Sequence, residues 1–261
     1  MSRPTGDPSN SEEGEFTVGV VVPAAGSGQR MGGLPKRLPK GLPKGLPKPF
    51  LELSGEPILM RALRPFLEHS GVREVVVPLP TAHAEFPPAW LMEVDERIRV
   101  VAGGETRRDS VWAGLQALSD ALDVAVVHDG ARPLVSRDVI GRCIDLAGRG
   151  VGGVAGVPVV DTIKEVDGGG CVVATPDRSR LWHAQTPQAF PLGVIMDAYR
   201  WAFTEDFPAT DDSALVERVG GRVVMVESTG ENLKITRPED LEIAELMLSH
   251  PPFGSPFLEG C

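Results

Sequence analysis

The chain predicts a doubly wound α/β fold with a mainly parallel sheet and a projecting β-hairpin arm. Three observations carry that expectation. Short β-branched runs alternate with helix-period segments along most of the chain, which is the rhythm of βαβ units. The runs are continuously apolar, as strands covered on both faces must be. The rhythm breaks once, after Val157, where two strand-like runs flank the turn Asp167 to Gly170.

The elements follow in order. Residues 1–16 read as a disordered leader, 17–250 as one folded domain and 251–261 as a flexible tail. Val18 to Val22 is a buried strand ending in a glycine-rich loop. Pro57 to His69 reads as a helix, with proline at its start and Ser70-Gly71 at its end. Glu74 to Pro78 and Arg99 to Ala102 are strands. Thr106 is placed to cap a helix running to about Leu118, whose Val111, Leu115 and Leu118 share a face. Val124 to His128 is a strand, Ser136 caps the next helix, and Val151 to Val157 is a strand. Val159 to Val166 and Cys171 to Thr175 form the hairpin, within an arm spanning about 158–187. A helix over Leu192 to Phe203, a strand at Arg222 to Val226 and a helix from Pro238 to Ser249 complete the pattern.

One segment departs from it. Leu-Pro-Lys recurs with a period of four at Leu34, Leu38, Leu42 and Leu46. Its prolines forbid helix, so it reads as an extended, mobile loop.

Composition narrows the function. The 261 residues are 42% hydrophobic and 24% charged, a globular profile. Acidic residues outnumber basic ones 36 to 26, for a net charge of −10, which disfavours nucleic acid or an anionic membrane as partner. No apolar run approaches the roughly 18 residues of a membrane span, and residues 1–15 lack the apolar stretch of a secretory signal. Three scattered cysteines fit neither a disulfide framework nor a zinc site. The expected compartment is the cytoplasm.

Four segments could carry chemistry. The first, Pro23 to Gly32, follows the first strand; its small residues let backbone N–H groups approach a phosphate chain, and Arg30 adds a charge. It is neither a P-loop nor a dinucleotide fingerprint, since Met31 stands where a third glycine belongs. From Phe16 to Leu51 there is no acidic residue but six basic ones, Arg30, Lys36, Arg37, Lys40, Lys44 and Lys48, which suits a small polyanion. The second, His128 to Pro133, ends a strand where α/β sheets bind ligands; Asp129 there is either a Mg²⁺ ligand or a turn residue. The third, Gly103 to Ser110, is either a seat for a flat base or an ordinary strand-to-helix turn. The fourth is Asn232 to Thr236, with Lys234. Trp182, His183 and Cys143 read as packing residues.

Together these segments resemble the 2-C-methyl-D-erythritol 4-phosphate cytidylyltransferases. The resemblance runs from about Val18 to Ser249, through Pro23–Met31, Pro47–Leu51, Gly103–Ser110, His128–Pro133, Asp161–Lys164, Arg178–Gln188, Thr210–Asp212 and Asn232–Asp240 in family order. It implies a Rossmann-like nucleotidyltransferase that joins CTP to methylerythritol 4-phosphate with Mg²⁺ and releases pyrophosphate. The similar-looking alternative is a ribitol-5-phosphate cytidylyltransferase. By the same resemblance, Arg30, Lys48 and Lys234 are catalytic. Ala24, Ala25, Gly26, Gly28, Gly104, Glu105 and Ser110 bind the nucleotide. Asp129, Arg132, Thr162, Arg178 and Thr210 bind the polyol phosphate, and Asp129 holds the metal. The hairpin arm implies a homodimer in which Thr162 and Arg178 serve the neighbouring site. The family carries one Pro-Lys where this chain repeats it. Lys48 is assigned as the catalytic lysine because Pro49-Phe50-Leu51 follows it; Lys36 is the rival, at the usual distance from Met31.

Overall fold

The computed structural model describes residues 16–26, 47–208 and 210–250. The expected leader up to residue 15, Gly28, Arg30, the Leu-Pro-Lys repeats through Leu46 with Lys36, and the expected tail lie outside the described residues.

The chain enters through β1 (Val18–Val21), followed after the first loop by a 3-10 turn at Lys48–Phe50 and a small hairpin of β2 (Glu52–Leu53) and β3 (Glu56–Pro57). Then come α1 (Ile58–Leu67), β4 (Val72–Leu79), the short helices α2 (Thr81–Glu85) and α3 (Ala89–Met92), β5 (Ile98–Ala102) and α4 (Arg107–Gln116). They are followed by β6 (Val124–Val127), α5 (Arg137–Gly148) and β7 (Gly152–Pro158). The arm carries β8 (Glu165–Val166) and β9 (Val172–Ala174). The chain returns through β10 (Trp182–Pro191), α6 (Leu192–Thr204), α7 (Asp212–Arg218), β11 (Val223–Glu227) and α8 (Pro238–Ser249).

Among the described residues, seven strands form one sheet in the order β11-β7-β10-β6-β1-β4-β5. β10 runs antiparallel to both neighbours and the other pairings are parallel. Each central strand alternates its side chains between two apolar layers. Val18, Val20, Val124 and Val126 pack with α1 and α5, while Val21, Ala125 and Val127 pack with α4, α6 and α7. That burial on both faces is what the unbroken apolar runs record. α5 lies directly on β7, because a Cβ at Gly153 would stand 2.8 Å from the Cys143 carbonyl oxygen. Cys143 is buried in this layer, and burial pushes its thiol pKa up to about 12. A third cluster joins Leu51, Leu53 and Ile58 to Ile235, Leu241 and Ala244.

The helix caps form as expected. Thr106 Oγ1 accepts from the Asp109 N–H at 3.1 Å while Asp109 accepts from the Thr106 N–H at 3.0 Å, a reciprocal capping box. Ser136 accepts from the Val139 N–H.

Several expectations are corrected. β10 is a full central strand where no strand is expected, because Trp182 to Pro191 is polar and carries two prolines. Its register shifts between Ala184 and Gln188, and this irregularity accommodates Pro187, which follows a cis peptide. α7 has seven residues, too few to register as a periodic pattern. The hairpin strands are shorter than expected, since Val159 to Lys164 leaves β geometry. Helix α1 begins after Pro57 and ends before His69. Phe16 packs against the core beside Gly148 instead of ending a leader. Among the described residues no helix is long and apolar enough to cross a membrane.

Candidate active site

A cavity of about 440 Å³ opens where the carboxyl ends of β1, β5 and β6 meet the segment before α8. β1 stands between β4 and β6, so the chain's connections leave it in opposite directions. Such a switch point is where open α/β sheets hold ligands.

One wall is small and mostly backbone. Ala24, Ala25 and Gly26 face Gly104, Glu105 and Ser110 across it. The two loops touch: a Cβ at Gly103 would lie 2.5 Å from the Ala25 Cβ, so this approach requires glycine. The Ser110 hydroxyl accepts from the Gly104 N–H at 3.1 Å and donates to the Thr106 carbonyl at 2.9 Å. It therefore shapes the turn as well as lining the cavity.

The opposite wall is charged. Asp129 Oδ2 accepts from Lys234 Nζ at 2.8 Å and Oδ1 accepts from Arg107 Nε at 3.2 Å. Arg132 Nε lies 3.6 Å from Oδ2. Burial alone would raise the pKa of Asp129, but Arg107, Lys234 and Arg132 overcome it and hold the carboxyl well below the usual carboxylate range. Arg107 also grips Asp212 with two bonds, at 3.0 and 2.7 Å. Burial would lower the pKa of Arg107, but Asp212 and Asp129 raise it well above the ordinary value. Tyr199 donates to Asp212 at 2.5 Å, and Trp112 stacks on its ring. Lys48 Nζ donates to the Thr236 carbonyl at 2.8 Å, bringing a second lysine to this wall.

A buried polar layer fixes the Asp129 turn from behind. The Asp129 N–H donates to Thr186 Oγ1 at 3.0 Å, and that hydroxyl meets His128 Nδ1 at 3.1 Å. His128 Nε2 meets the Arg132 carbonyl at 3.0 Å. A neutral ring protonated at Nε2 satisfies all three. Burial lowers the His128 pKa to about 4, which keeps it in that form. Asn232 donates to Gln185 and to the Thr186 carbonyl, and its own backbone carbonyl accepts from Arg132 at 2.7 Å.

Of the residues singled out in the sequence, the structure gathers Ala24, Ala25, Gly26, Lys48, Gly104, Glu105, Ser110, Asp129 and Lys234 around one cavity. Arg132 sits behind Asp129. Thr162, Arg178 and Thr210 do not line it; Thr162 is exposed, Arg178 donates to the Val160 carbonyl, and Thr210 precedes the Asp211 cap of α7. Gly28 and Arg30 fall outside the described residues. Arg107, Asp212 and Thr236 lie within the quoted motifs, yet the sequence assigns them no role. The Arg107–Asp212 pair joins positions 105 residues apart, which no local pattern reveals.

Among the described residues no group of three or more His, Cys, Asp or Glu side chains could hold a metal. The site does fit a hard cation of the Mg²⁺ type. Such an ion needs only one or two carboxylates beside phosphate oxygens; Asp129 Oδ1 meets Arg107 and Oδ2 meets Lys234 and Arg132, while an ionised carboxylate offers about four acceptor sites.

Lysines and arginines converging on a switch-point cavity, opposite a small backbone wall, define a nucleotidyltransferase-type α/β enzyme. Comparison with known proteins makes this specific. The family model "2-C-methyl-D-erythritol 4-phosphate cytidylyltransferase" matches residues 18–250, and the chain belongs to that family. A relative of that name from Symbiobacterium thermophilum is 44% identical over 90% of this chain and 94% of its own. Another from Clostridioides difficile is 39% identical over 88% and 93%. The Thermus thermophilus cytidylyltransferase structure superposes with a TM-score of 0.71 at 31% identity, covering 90% of this chain and 99% of its own. The Anaerococcus prevotii synthase structure gives 0.77 at 27% identity, covering 90% and 97%.

The buried histidine predicts a pH dependence of stability. His128 titrates near 4 when folded and near 6.5 as a free group. Between those values the unfolded chain binds the extra proton, so stability falls as pH drops from about 6.5 towards 4, by up to about 3 kcal/mol for the full window. Urea unfolding across this range should show a shallower slope for His128→Gln than for the unsubstituted protein. An equal slope would reject the assignment.

Proposed function

We propose that the cavity binds CTP against the Ala24–Gly26 and Gly104–Ser110 wall and aligns 2-C-methyl-D-erythritol 4-phosphate for in-line attack on the α-phosphorus. The enzyme is a CTP-dependent cytidylyltransferase by family, and the names of its relatives favour this acceptor over ribitol 5-phosphate. The products are 4-diphosphocytidyl-2-C-methyl-D-erythritol and pyrophosphate. The observation that carries the reading is the convergence of Lys48 and Lys234, from distant parts of the chain, beside Asp129 on one cavity.

The chemistry asks little of a base. A phosphate monoester loses its second proton near pH 6, so its oxygen is already a nucleophile. That oxygen forms a bond to the α-phosphorus as the bond to the bridging oxygen of pyrophosphate breaks. Charge then accumulates on the crowded phosphorus and the leaving group. Lys48 and Lys234 answer it with fixed charge, and Arg30 joins them by family resemblance. Arg107 and Arg132 hold the Asp129 carboxylate in place; Asp129 and Arg132 orient the acceptor. Asp129 would hold Mg²⁺, which when bound supplies charge neutralisation and a template across the phosphates.

Thr162 and Arg178 complete the acceptor site of a partner subunit in this reading. The arm supports it: Val160, Val166, Val172 and Val173 are between 52% and 79% exposed, large apolar side chains on the arm that a second copy would cover. The unpaired cysteines Cys143 and Cys171 suit a cytoplasmic location.

Pyrophosphate release from CTP and Mg²⁺ should be strong with methylerythritol 4-phosphate, weak with ribitol 5-phosphate and abolished by chelation. Release with ribitol phosphate alone would overturn the acceptor. In the same assay Lys48→Ala should lower turnover by at least about 10²-fold and Lys36→Ala far less; near-normal turnover in the Lys48 variant would sink that assignment. Sedimentation should show a dimer that Val172→Glu with Val173→Glu weakens, and an unaltered dimer would remove the arm from the interface.

A further inference from the structure

Asp240 lies outside the cavity, in the first turn of α8, and nothing above gives it a part in the reaction. A single oxygen of its carboxylate, Oδ2, accepts three hydrogen bonds: from the Thr236 N–H at 2.7 Å, the Thr236 hydroxyl at 2.8 Å and the Arg237 N–H at 2.7 Å. Burial opposes its ionisation, but these donors prevail and hold its pKa below the ordinary value. The acceptor is therefore charged at neutral pH, and its bonds are of the stronger, charge-assisted kind.

The third bond matters most. The Arg237 N–H and the Thr236 carbonyl are the two ends of one planar peptide unit, pointing in opposite directions. Asp240 grips one end, and the other end accepts from Lys48 Nζ at 2.8 Å. Fixing the N–H fixes the direction of the carbonyl, and bonds in such a chain polarise one another. Two residues earlier the same segment carries Lys234, and the Ile235 N–H between them donates to the Ala131 carbonyl at 2.8 Å. Ile235 and Leu51 meet in the apolar cluster under both segments. A polar clamp and an apolar one thus hold the 234–237 segment against the Lys48 turn.

We infer that Asp240 is a positioning residue for Lys48, acting through the Thr236–Arg237 peptide. This rests on the reading of Lys48 as a catalytic lysine. A plain helix cap would affect stability alone; a positioning residue must affect turnover, and only when Lys48 is present.

The test is a double-mutant cycle read in kcat and KM for CTP, with Tm recorded for each variant. Asp240→Ala should lower kcat by up to about 10²-fold, the scale of a misplaced catalytic group, with a smaller change in KM. Asp240→Asn keeps the shape but weakens the acceptor, so its loss should be roughly threefold to tenfold; it also serves if the alanine variant fails to fold. Both losses should vanish in a Lys48→Ala background. Glu239→Ala removes the exposed neighbouring charge of the same helix turn and should leave kcat unchanged. Losses that persist undiminished beside Lys48→Ala, or full turnover in folded Asp240→Ala, would overturn the inference. Normal turnover in Lys48→Ala alone would instead overturn the lysine reading, and this inference with it.

Discussion

The Asp129 carboxylate is the point on which the charged half of the molecule balances. Among the described residues, three cations reach it from different parts of the chain: Arg107 at the start of α4, Arg132 in its own loop and Lys234 before α8. Without that shared anion they would repel one another across a confined space, and burying them would be strongly unfavourable. Asp212 takes up a further share of Arg107. Arg107, Arg132 and Lys234 outnumber Asp129 and Asp212, so the cluster keeps a surplus of positive charge.

Holding this cluster falls to a strand that is polar where a central strand should be apolar. The irregular stretch Gln185 to Gln188 of β10 contacts three functional segments at once. Thr186 receives the Asp129 N–H, Gln185 and the Thr186 carbonyl receive Asn232, and Gln188 reaches Asp211 and the Ser213 N–H. Of these β10 groups only the Thr186 carbonyl belongs to the backbone, and the register shift between Ala184 and Gln188 leaves it to Asn232 instead of a ladder partner. The other contacts are made by side chains.

The same division separates what is legible in the sequence from what is not. Apolar runs such as Val124 to Val127 announce strands because both of their faces are buried. Caps such as Thr106 and Ser136 are local chemistry and can be read from neighbouring residues. The cavity loops after β1, β5 and β6 can be located because strand ends are where such sheets bind. β10 stays hidden because its residues serve through the side chains they present to the site, which erases the strand signature. Arg107 and Asp212 stay hidden because each looks like an ordinary surface charge until the fold brings them together. The lysine turn at Lys48 is visible through its resemblance, but its dependence on the far end of the chain is not, since Lys48 and Thr236 are 188 residues apart.

The stack of Trp112 on Tyr199, with ring planes nearly parallel at 5° and 5.8 Å between ring centres, reaches beyond packing. The Tyr199 hydroxyl is bonded to Asp212, Asp212 to Arg107, and Arg107 forms part of the cavity wall. A ligand that draws on the Arg107 guanidinium therefore changes the electric field at an indole only a few bonded contacts away. The aromatic layer between α4 and α6 and the charged wall of the cavity are thus one connected set of contacts.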